Sequence, residues 1–487
     1  MSGARSITAD SQAFSWAGVA RAVSPDARCG HPALRSLHAA SLSTSLPPLG
    51  SKADSTARAT PRDIHCRERT PSRGWRGSRT RPTIAIWLPG AVLPLVLLAS
   101  SLGQHAVADP DAAPADAWPM ARGSLAGTGR SASTLRLPLA EAWRRDFDKT
   151  AFAAGPVIAG GVVYVGDLDG GFHALDLATG ETRWTRRIDG AGFTSSAAVA
   201  VDPALPLAVG DDMGTVRGLD RATGETRWEY ATEGEISGGP TILGDGGAPR
   251  VLVGSQDASL SCLDLATGKL LWKHSIADQI RCAPTVARTP AGDRVFLAGC
   301  DGRLHILDAA TGAETSAIEI GGPTGTTPAV SGSRVLFGTE AGAFFAIDFL
   351  EPAVAWRKQP AANAQAYRSS AAVVGDLAVV GTRGRAVEAF ATADGTTRWR
   401  QPRRGAVDAS PVIVTGAGSE ADPLAPPRPV VIVADAKGTV AALEAATGEP
   451  AWEFEAGGGF GAGAAVAAGR VVIASDDGTV WCFRSAD

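Results

Sequence analysis

The chain has 487 residues, enough for two or three domains, and 20% of them are charged. With 58 Gly, 12 Trp and only 3 Met, the composition favours short strands and many turns over long helices. The formal net charge of −4 excludes the basic excess that binding to nucleic acid requires.

The amino-terminal residues predict an export signal. Residues 1–82 show no periodicity, and we interpret them as a disordered leader or as sequence ahead of a misassigned translation start. Residues 83–108 contain an apolar run of about 16 residues after several arginines, and they end in Ala106-Val-Ala108, which is typical of a cleaved signal peptide. An uncleaved membrane anchor is the alternative, although Pro89 and Pro94 interrupt the run and spanning a bilayer needs roughly 20 residues.

Removing residues 1–108 makes the protein acidic. That segment carries 13 basic and 5 acidic residues, which leaves 33 basic and 45 acidic residues and a formal charge of −12. We therefore expect a periplasmic or extracellular protein that binds neither nucleic acid nor an anionic membrane surface. No cysteine lies near the cleavage site, so we expect no lipid anchor.

A repeat that ends in tryptophan is the strongest signal in the chain. Residues 174–184, 218–228, 262–272 and 442–452 align without gaps, and weaker copies extend the series. A period near 40–45 residues is typical of a four-stranded propeller blade. The tryptophan column, with spacings of 39 to 53 residues, reads Trp143, Trp184, Trp228, Trp272, Ala317, Trp356, Trp399 and Trp452.

A second column of small residues, each followed by Pro or Ala, also has eight members. They are Gly155, Ser196, Gly239, Ala283, Thr327, Ser370, Ser410 and Gly463. Residues 139–487 are therefore predicted to form an all-β, eight-bladed β-propeller of four-stranded antiparallel blades, preceded by a lead-in segment at 109–138. The last unit stops before any tryptophan, so the strand around Trp143 is expected to complete it and close the ring.

Each repeat also contains a turn between its third and fourth strands, which we call the docking turn. Its Asp is expected to accept hydrogen bonds from turn amides, while its Gly adopts a left-handed conformation. The tryptophan that follows provides apolar surface for the interface between blades. The clearest pairs are Asp176 with Gly180, Asp220 with Gly224, and Asp264 with Gly268.

These residues resemble the pyrroloquinoline-quinone (PQQ) propeller repeat, whose pattern Ala-x-Asp-x-x-Thr-Gly-x-x-x-Trp is matched by residues 174–184. Trp118-Pro-Met-Ala-Arg-Gly123 resembles the lead-in of such propellers in exported bacterial proteins. The family includes quinone-dependent alcohol and sugar dehydrogenases as well as BamB-like scaffolds of outer-membrane protein assembly. The resemblance implies the fold and leaves the function open.

The features that the resemblance implies for a quinoprotein are missing from the sequence. None of the six cysteines are adjacent, no Cys-x-x-Cys-His segment occurs, and the only long insertion is at 416–429. We therefore expect a non-catalytic, monomeric propeller without a cofactor, acting as a scaffold for an envelope protein or as a ligand-binding module. The alternative is a PQQ-dependent oxidoreductase with PQQ and Ca²⁺ in its channel.

One set of equivalent positions predicts a binding site. Two residues before the second column, the eight units have charged side chains only at Arg281, Arg368 and Asp408. These positions begin the innermost strands, so they are expected to surround one mouth of the central channel and to hold an anionic group. A solvated rim without a ligand is the alternative.

Other reactive side chains have simpler interpretations. Cys282 and Cys300 lie on consecutive strands, so the register decides whether they form a disulfide. His173 and His305 share one repeat position, which we interpret as solvated or facing a groove, with ordinary surface histidines. No ligand spacing accompanies them, so we expect no metal site.

Overall fold

The computed structural model describes residues 113–244, 248–359, 364–419 and 428–486, with the backbone alone at 416–419. The predicted leader, the signal peptide and most of the 416–429 insertion lie outside these residues. Within the described ranges, no helix has the length and apolar character that crossing a membrane requires.

The chain forms eight small sheets arranged as a ring, so the predicted all-β, eight-bladed propeller is confirmed. The strands before blade 1 are β1 (Arg130–Leu137) and β2 (Leu139–Asp146). Blades 1 to 3 contain β3 (Val157–Ala159), β4 (Val162–Gly166), β5 (Gly171–Asp176), β6 (Thr182–Arg187), β7 (Leu207–Gly210), β8 (Thr215–Leu219), β9 (Thr226–Ala231), β10 (Thr241–Leu243), β11 (Arg250–Ser255), β12 (Ser259–Asp264) and β13 (Leu270–Ser275). Blades 4 to 6 contain β14 (Thr285–Ala287), β15 (Arg294–Ala298), β16 (Arg303–Asp308), β17 (Glu314–Glu319), β18 (Ala329–Ser331), β19 (Arg334–Gly338), β20 (Phe344–Asp348), β21 (Ala353–Lys358), β22 (Ala372–Val374), β23 (Leu377–Thr382), β24 (Ala386–Ala391) and β25 (Thr397–Pro402). Blades 7 and 8 contain β26 (Val412–Ser419), β27 (Val430–Ala434), β28 (Thr439–Glu444), β29 (Pro450–Glu455), β30 (Ala465–Ala467), β31 (Arg470–Ala474) and β32 (Thr479–Ser485).

Burial decreases from the axis outward within each blade. The short innermost strands and the two middle strands are mostly buried and apolar, whereas the outermost strands alternate between exposed and half-buried residues. In blade 2 the innermost strand is reduced to a single bridge, in which Ala198 and Ala208 exchange backbone hydrogen bonds of 2.8 and 2.9 Å. Such short sheets with covered faces limit the exposed strand edges that promote aggregation.

The two ends of the described chain meet in blade 8. Strand β2 pairs antiparallel with β32, and Trp143 lies opposite Cys482. Strand β32 continues through β31 to β30, so the amino-terminal strand is the outermost strand of a blade that is otherwise carboxyl-terminal. The predicted closure is confirmed.

The predicted tryptophans lie at the interfaces between consecutive blades, which we call seams. An added Cβ at Gly180 would lie 2.6 Å from the Trp143 ring, so only glycine permits this approach, and its φ of +75° favours glycine as well. The same contact joins Trp184 to Gly224 and Trp228 to Gly268. At five seams the indole nitrogen donates to a carbonyl of the next blade: Trp143 to Leu177, Trp184 to Arg221, Trp228 to Leu265, Trp356 to Thr392 and Trp399 to Ala445.

Three seams differ from this pattern. Trp272 packs on Gly312, but its indole nitrogen is buried without a hydrogen bond. Trp452 packs at 5.4 Å from Phe483, because the third and fourth strands of blade 8 come from opposite chain ends and form no docking turn. In blade 4 the register pairs Ile306 with Ser316, as Ala174 pairs with Trp184 in blade 1, so the missing tryptophan corresponds to Ser316. The assignment of Ala317 to this column was wrong by one residue.

A phenylalanine from the next blade fills the space left by the missing tryptophan. Phe349, in the docking turn of blade 5, is buried and lies 5.0 Å from Phe296 of blade 4. The two rings belong to a core cluster that spans this seam. The seam therefore keeps aromatic packing although its own blade provides no indole.

The docking turns make stability sensitive to acid. Arg183 and Arg227 donate to Asp176 and Asp220, and turn amides add further hydrogen bonds, so the pKa of each carboxyl is lowered. Thr311 has the same effect on the pKa of Asp308. Because the folded pKa lies below the unfolded one, these groups stabilise the fold fully above the unfolded pKa of about 3.9 and lose that effect as the pH falls through the lowered values.

We therefore expect the midpoint of urea unfolding to fall between pH 5 and pH 2.5. An Asp176→Asn variant should be less stable than the wild type at pH 5 and should lose less of its stability on acidification. Equal losses in the two proteins would show that this carboxylate does not contribute to the acid sensitivity.

The cysteines of blade 4 do not form a disulfide. Cys282 and Cys300 are both in the thiol form and buried. The Cys282 thiol lies 3.5 Å from the Ala298 carbonyl, and burial raises its pKa to about 12. A thiol held protonated in this way is a poor nucleophile.

Candidate binding site at the channel mouth

The described part of the lead-in segment runs inside the central channel. The innermost strands of the blades present backbone groups toward the axis, and buried backbone groups need partners. Carbonyls of the lead-in accept hydrogen bonds from seven of the eight blades: Trp118 from Ile158, Pro119 from Val199, Leu125 from Val286, Ala126 from Val330, Thr128 from Val373, Gly129 from Ile413 and Ala115 from Ala468. The segment continues into β1, which pairs parallel with β26.

Positive backbone angles let this segment curve tightly within the ring. Gly127 has a φ of +64°, and a Cβ there would lie 2.6 Å from Thr285 and 2.8 Å from the Pro328 carbonyl. Trp118 anchors the start of the curve, because it is 1% exposed and exchanges two backbone hydrogen bonds with Ile158. The lead-in is therefore part of the propeller core.

A cavity of about 170 Å³ remains above the lead-in at one end of the channel, which we call the channel mouth. Ala121 and Arg122 of the lead-in contribute to its lining. The eight equivalent positions from the sequence all line it: Ala153, Thr194, Ser237, Arg281, Gly325, Arg368, Asp408 and Gly461. The structure therefore brings together Arg281, Arg368 and Asp408, whose ligand binding stays a prediction.

Arg122 is a lining residue that the sequence reasoning missed. It is 5% exposed, and its Nη2 donates to the carbonyls of Ala371 (3.0 Å) and Pro411 (2.9 Å). Its Nε has no hydrogen-bond partner, and none of the described carboxylates forms an ion pair with it. Burial without a counter-charge lowers its pKa to about 9. The cavity thus adjoins a desolvated cation.

The two predicted arginines each contact one side chain, Gln279 for Arg281 and Glu340 for Arg368. The Arg281 guanidinium donates to Gln279 Oε1 at 2.9 and 2.6 Å, and Arg368 Nε lies 3.1 Å from Glu340 Oε1. The Arg368 side chain is 41% exposed, so that ion pair is weak. Both side chains therefore remain able to donate to a ligand.

Asp408 is the single carboxylate among the described residues that line the mouth. Its Oδ2 lies 3.7 Å from Arg383 Nε, while its Oδ1 is buried without a hydrogen bond. Burial raises the pKa of Asp408, and Arg383 only partly opposes that effect. Among the lining residues three guanidinium groups outnumber one carboxylate, and the excess stays positive when the paired neighbours Glu340 and Arg383 are counted, which suits an anion.

A larger cavity of about 410 Å³ lies between blades 5 and 6 and is lined by Lys358, Tyr367, Glu388 and Arg400 among others. The Tyr367 hydroxyl donates to Glu388 at 2.8 Å, and Arg400 donates to the same carboxylate at 3.1 Å. Burial, reinforced by Glu388, raises the pKa of Tyr367, so its phenol stays protonated. This arrangement makes Tyr367 unsuited to accept a proton at neutral pH.

The histidines that were predicted to be solvated are buried. His173 is 5% exposed, and its Nε2 lies 2.9 Å from Asp167. His305 is 4% exposed, and its Nε2 lies 3.0 Å from Asp301. The surface interpretation was wrong. This repeat position faces a buried carboxylate of the adjacent turn, and comparing one residue from each repeat does not show that contact.

Comparison with known proteins gives the same fold. The structure of BamB from Moraxella catarrhalis is 18% identical with a TM-score of 0.57, and the match covers 71% of this chain and 100% of that one. Quinohemoprotein alcohol dehydrogenase from Comamonas testosteroni is 15% identical with a TM-score of 0.62, covering 76% and 81%. A computationally designed protein, Ika8, is 18% identical with a TM-score of 0.57, covering 71% and 99%. At these identities the likeness concerns the fold alone.

Sequence comparison identifies the family. Among curated proteins no match is found. A family model described as outer membrane protein assembly factor BamB matches residues 140–213, 212–291, 288–416 and 383–487. These matches follow one another over the whole propeller, which is more than half of the chain. The chain therefore belongs to the BamB-like family of PQQ-type β-propellers.

Proposed function

We propose that the protein is a non-catalytic binding propeller of the cell envelope whose channel mouth receives an anionic group, such as a carboxylate, from a partner protein. The observation that supports this most is the charge of the mouth. Arg122, Arg281 and Arg368 line one small cavity in a protein whose predicted mature chain is otherwise acidic. The family description and the signal peptide predicted at residues 83–108 support a location in the envelope.

The mouth does not fit PQQ and Ca²⁺. Its 170 Å³ lies below the range of about 300–1,000 Å³ that is typical of pockets for multi-ring ligands. Calcium takes six to eight oxygen ligands, often from several carboxylates. Asp408 alone provides a carboxylate among the described lining residues, and its partner is Arg383. These features favour a binding role over the quinoprotein alternative.

Anion binding is tested with citrate as the probe, by titration calorimetry and thermal unfolding. We expect the double variant Arg281→Ala/Arg368→Ala to bind citrate at least about tenfold more weakly, since each charged hydrogen bond contributes ~1.5–3 kcal/mol. Asp408→Asn should strengthen binding, because it removes the one negative charge of the mouth. Arg398→Ala is the matched control, because Arg398 is an exposed arginine paired with Asp376 and does not line the mouth.

The partner is sought by pull-down from envelope extract with the same variants. A protein recovered by the wild type and by Arg398→Ala, but not by the double variant, would support the proposal. Equal recovery by all three proteins, together with equal citrate affinity, would show that the mouth is only a solvated rim.

The catalytic alternative is tested separately. The purified protein is incubated with PQQ and Ca²⁺, desalted, and examined for the quinone absorbance and its change on adding an alcohol or a sugar. We expect no retained quinone. A stoichiometric chromophore that an alcohol or sugar reduces would establish the oxidoreductase instead.

A further inference from the structure

The seam between blades 3 and 4 brings two histidines together. At several seams, the residue two positions after the tryptophan contacts the residue three positions before the docking-turn aspartate of the next blade. Tyr230 contacts Ser261 in this way, with their hydroxyls 3.2 Å apart. At the seam of blades 3 and 4 this pair is His274 and His305, with ring centroids 6.4 Å apart.

A carboxylate completes this group. The register of β16 and β17 shifts between Ile306 and Leu307, which pairs Glu314 with Leu307 and turns it toward the face of His305. Glu314 Oε2 lies 2.7 Å from His305 Nδ1 and 3.7 Å from His274 Nε2. One ligand atom from each of the three residues lies within 4.8 Å of the other two.

We propose that His274, His305 and Glu314 bind a divalent cation of the zinc type, which joins blades 3 and 4. Zinc is bound by imidazole nitrogens at about 2.0–2.1 Å and by carboxylate oxygens at about 2.0–2.2 Å, so tetrahedral ligand atoms lie roughly 3.3–3.5 Å apart. The two distances from Glu314 Oε2 to the imidazole nitrogens, 2.7 and 3.7 Å, lie below and above this range. Small side-chain movements would therefore satisfy the geometry, and a water molecule would complete the coordination.

The surroundings of both imidazoles support this assignment. His305 Nε2 is held by Asp301, whose side chain is 5% exposed, as in the carboxylate–histidine–metal arrangement that fixes the orientation of a ligand. His274 interacts with the Gly312 backbone, while its Nε2 is buried without a hydrogen-bond partner and faces Glu314. That nitrogen is available as a ligand.

The seam also lacks a link that other seams have. The Trp272 indole nitrogen is buried without a hydrogen bond, and the Ala309 carbonyl, which lies where other seams accept an indole, accepts from Arg250 instead. A bound cation would add a second polar connection between the two blades, beside the Arg250 hydrogen bond. The proposal does not depend on the channel mouth or on the proposed function.

The test is titration of untagged, metal-free, full-length protein with Zn²⁺ by calorimetry, and with Co²⁺ by visible absorption. We expect one Zn²⁺ per chain with micromolar or tighter affinity, and a Co²⁺ spectrum typical of low coordination number. His274→Gln and Glu314→Gln should each weaken binding at least tenfold. Asp301→Asn, which changes only a positioning residue, should weaken it about 10- to 100-fold.

His173→Gln is the matched control. His173 occupies the same repeat position as His305 and also contacts an aspartate, but its second nitrogen lies 3.0 Å from the Thr185 hydroxyl. This variant should bind Zn²⁺ like the wild type. Glu314 and His274 are partly exposed, so their variants are expected to fold, which unfolding curves without metal will verify. Absence of stoichiometric binding, or equal affinity of the wild type and His274→Gln, would overturn the proposal.

Discussion

Replacing Trp143 by alanine is expected to lower the free energy of unfolding by about 3–5 kcal/mol, the usual cost of removing a buried tryptophan. Trp143 is 8% exposed, packs on Gly180 of blade 1 and donates to the Leu177 carbonyl. It also lies on β2, the strand that completes blade 8. Its loss therefore weakens both a seam and the closure of the ring.

The measurement is equilibrium unfolding in guanidinium chloride, followed by circular dichroism. Trp452→Ala is the control, because Trp452 has the same repeat position but is less buried and has no docking turn to pack on. We expect the smaller loss for Trp452→Ala. An equal or larger loss for Trp452→Ala would show that ring closure does not increase the contribution of Trp143 to the free energy of unfolding.

Replacing Trp118 by alanine is expected to have an effect of similar size, about 3–5 kcal/mol, although Trp118 lies in the lead-in. The indole is 1% exposed and belongs to the core cluster that includes blades 7 and 8. A Cβ at Gly123 would lie 2.8 Å from its ring, which shows how closely the lead-in packs on it. Without this anchor, the lead-in should leave the channel more often.

Unfolding and limited proteolysis measure this effect together. We expect faster cleavage within residues 113–131 in Trp118→Ala than in the wild type, because protease requires local opening of the segment. Met213→Ala serves as the control, since Met213 is a large apolar side chain that is 67% exposed. If Trp118→Ala is as stable and as resistant as Met213→Ala, the lead-in does not contribute to the core.

The candidate site was only partly predictable. The sequence places Arg281, Arg368 and Asp408 at equivalent positions because a repeat transfers one geometry to every blade. Arg122 has no counterpart in the repeat, so no column could reveal it. The lead-in contains Gly123, Gly127 and Gly129 shortly after Arg122, and these glycines were the available signal for a tightly curved segment. The pair of His274 and His305 was missed because their contact crosses a seam.

By itself, the sequence determined the eight blades, the docking turns and the strand exchange that closes the ring. These features repeat along the chain or follow from its incomplete last unit, so local patterns suffice to identify them. Only the tertiary structure decided that the lead-in fills the channel, that Phe349 replaces a tryptophan, and that Ser316 is the position of that missing indole. Each of these depends on contacts between distant segments or on a one-residue shift in register, for which a linear pattern contains no distance information.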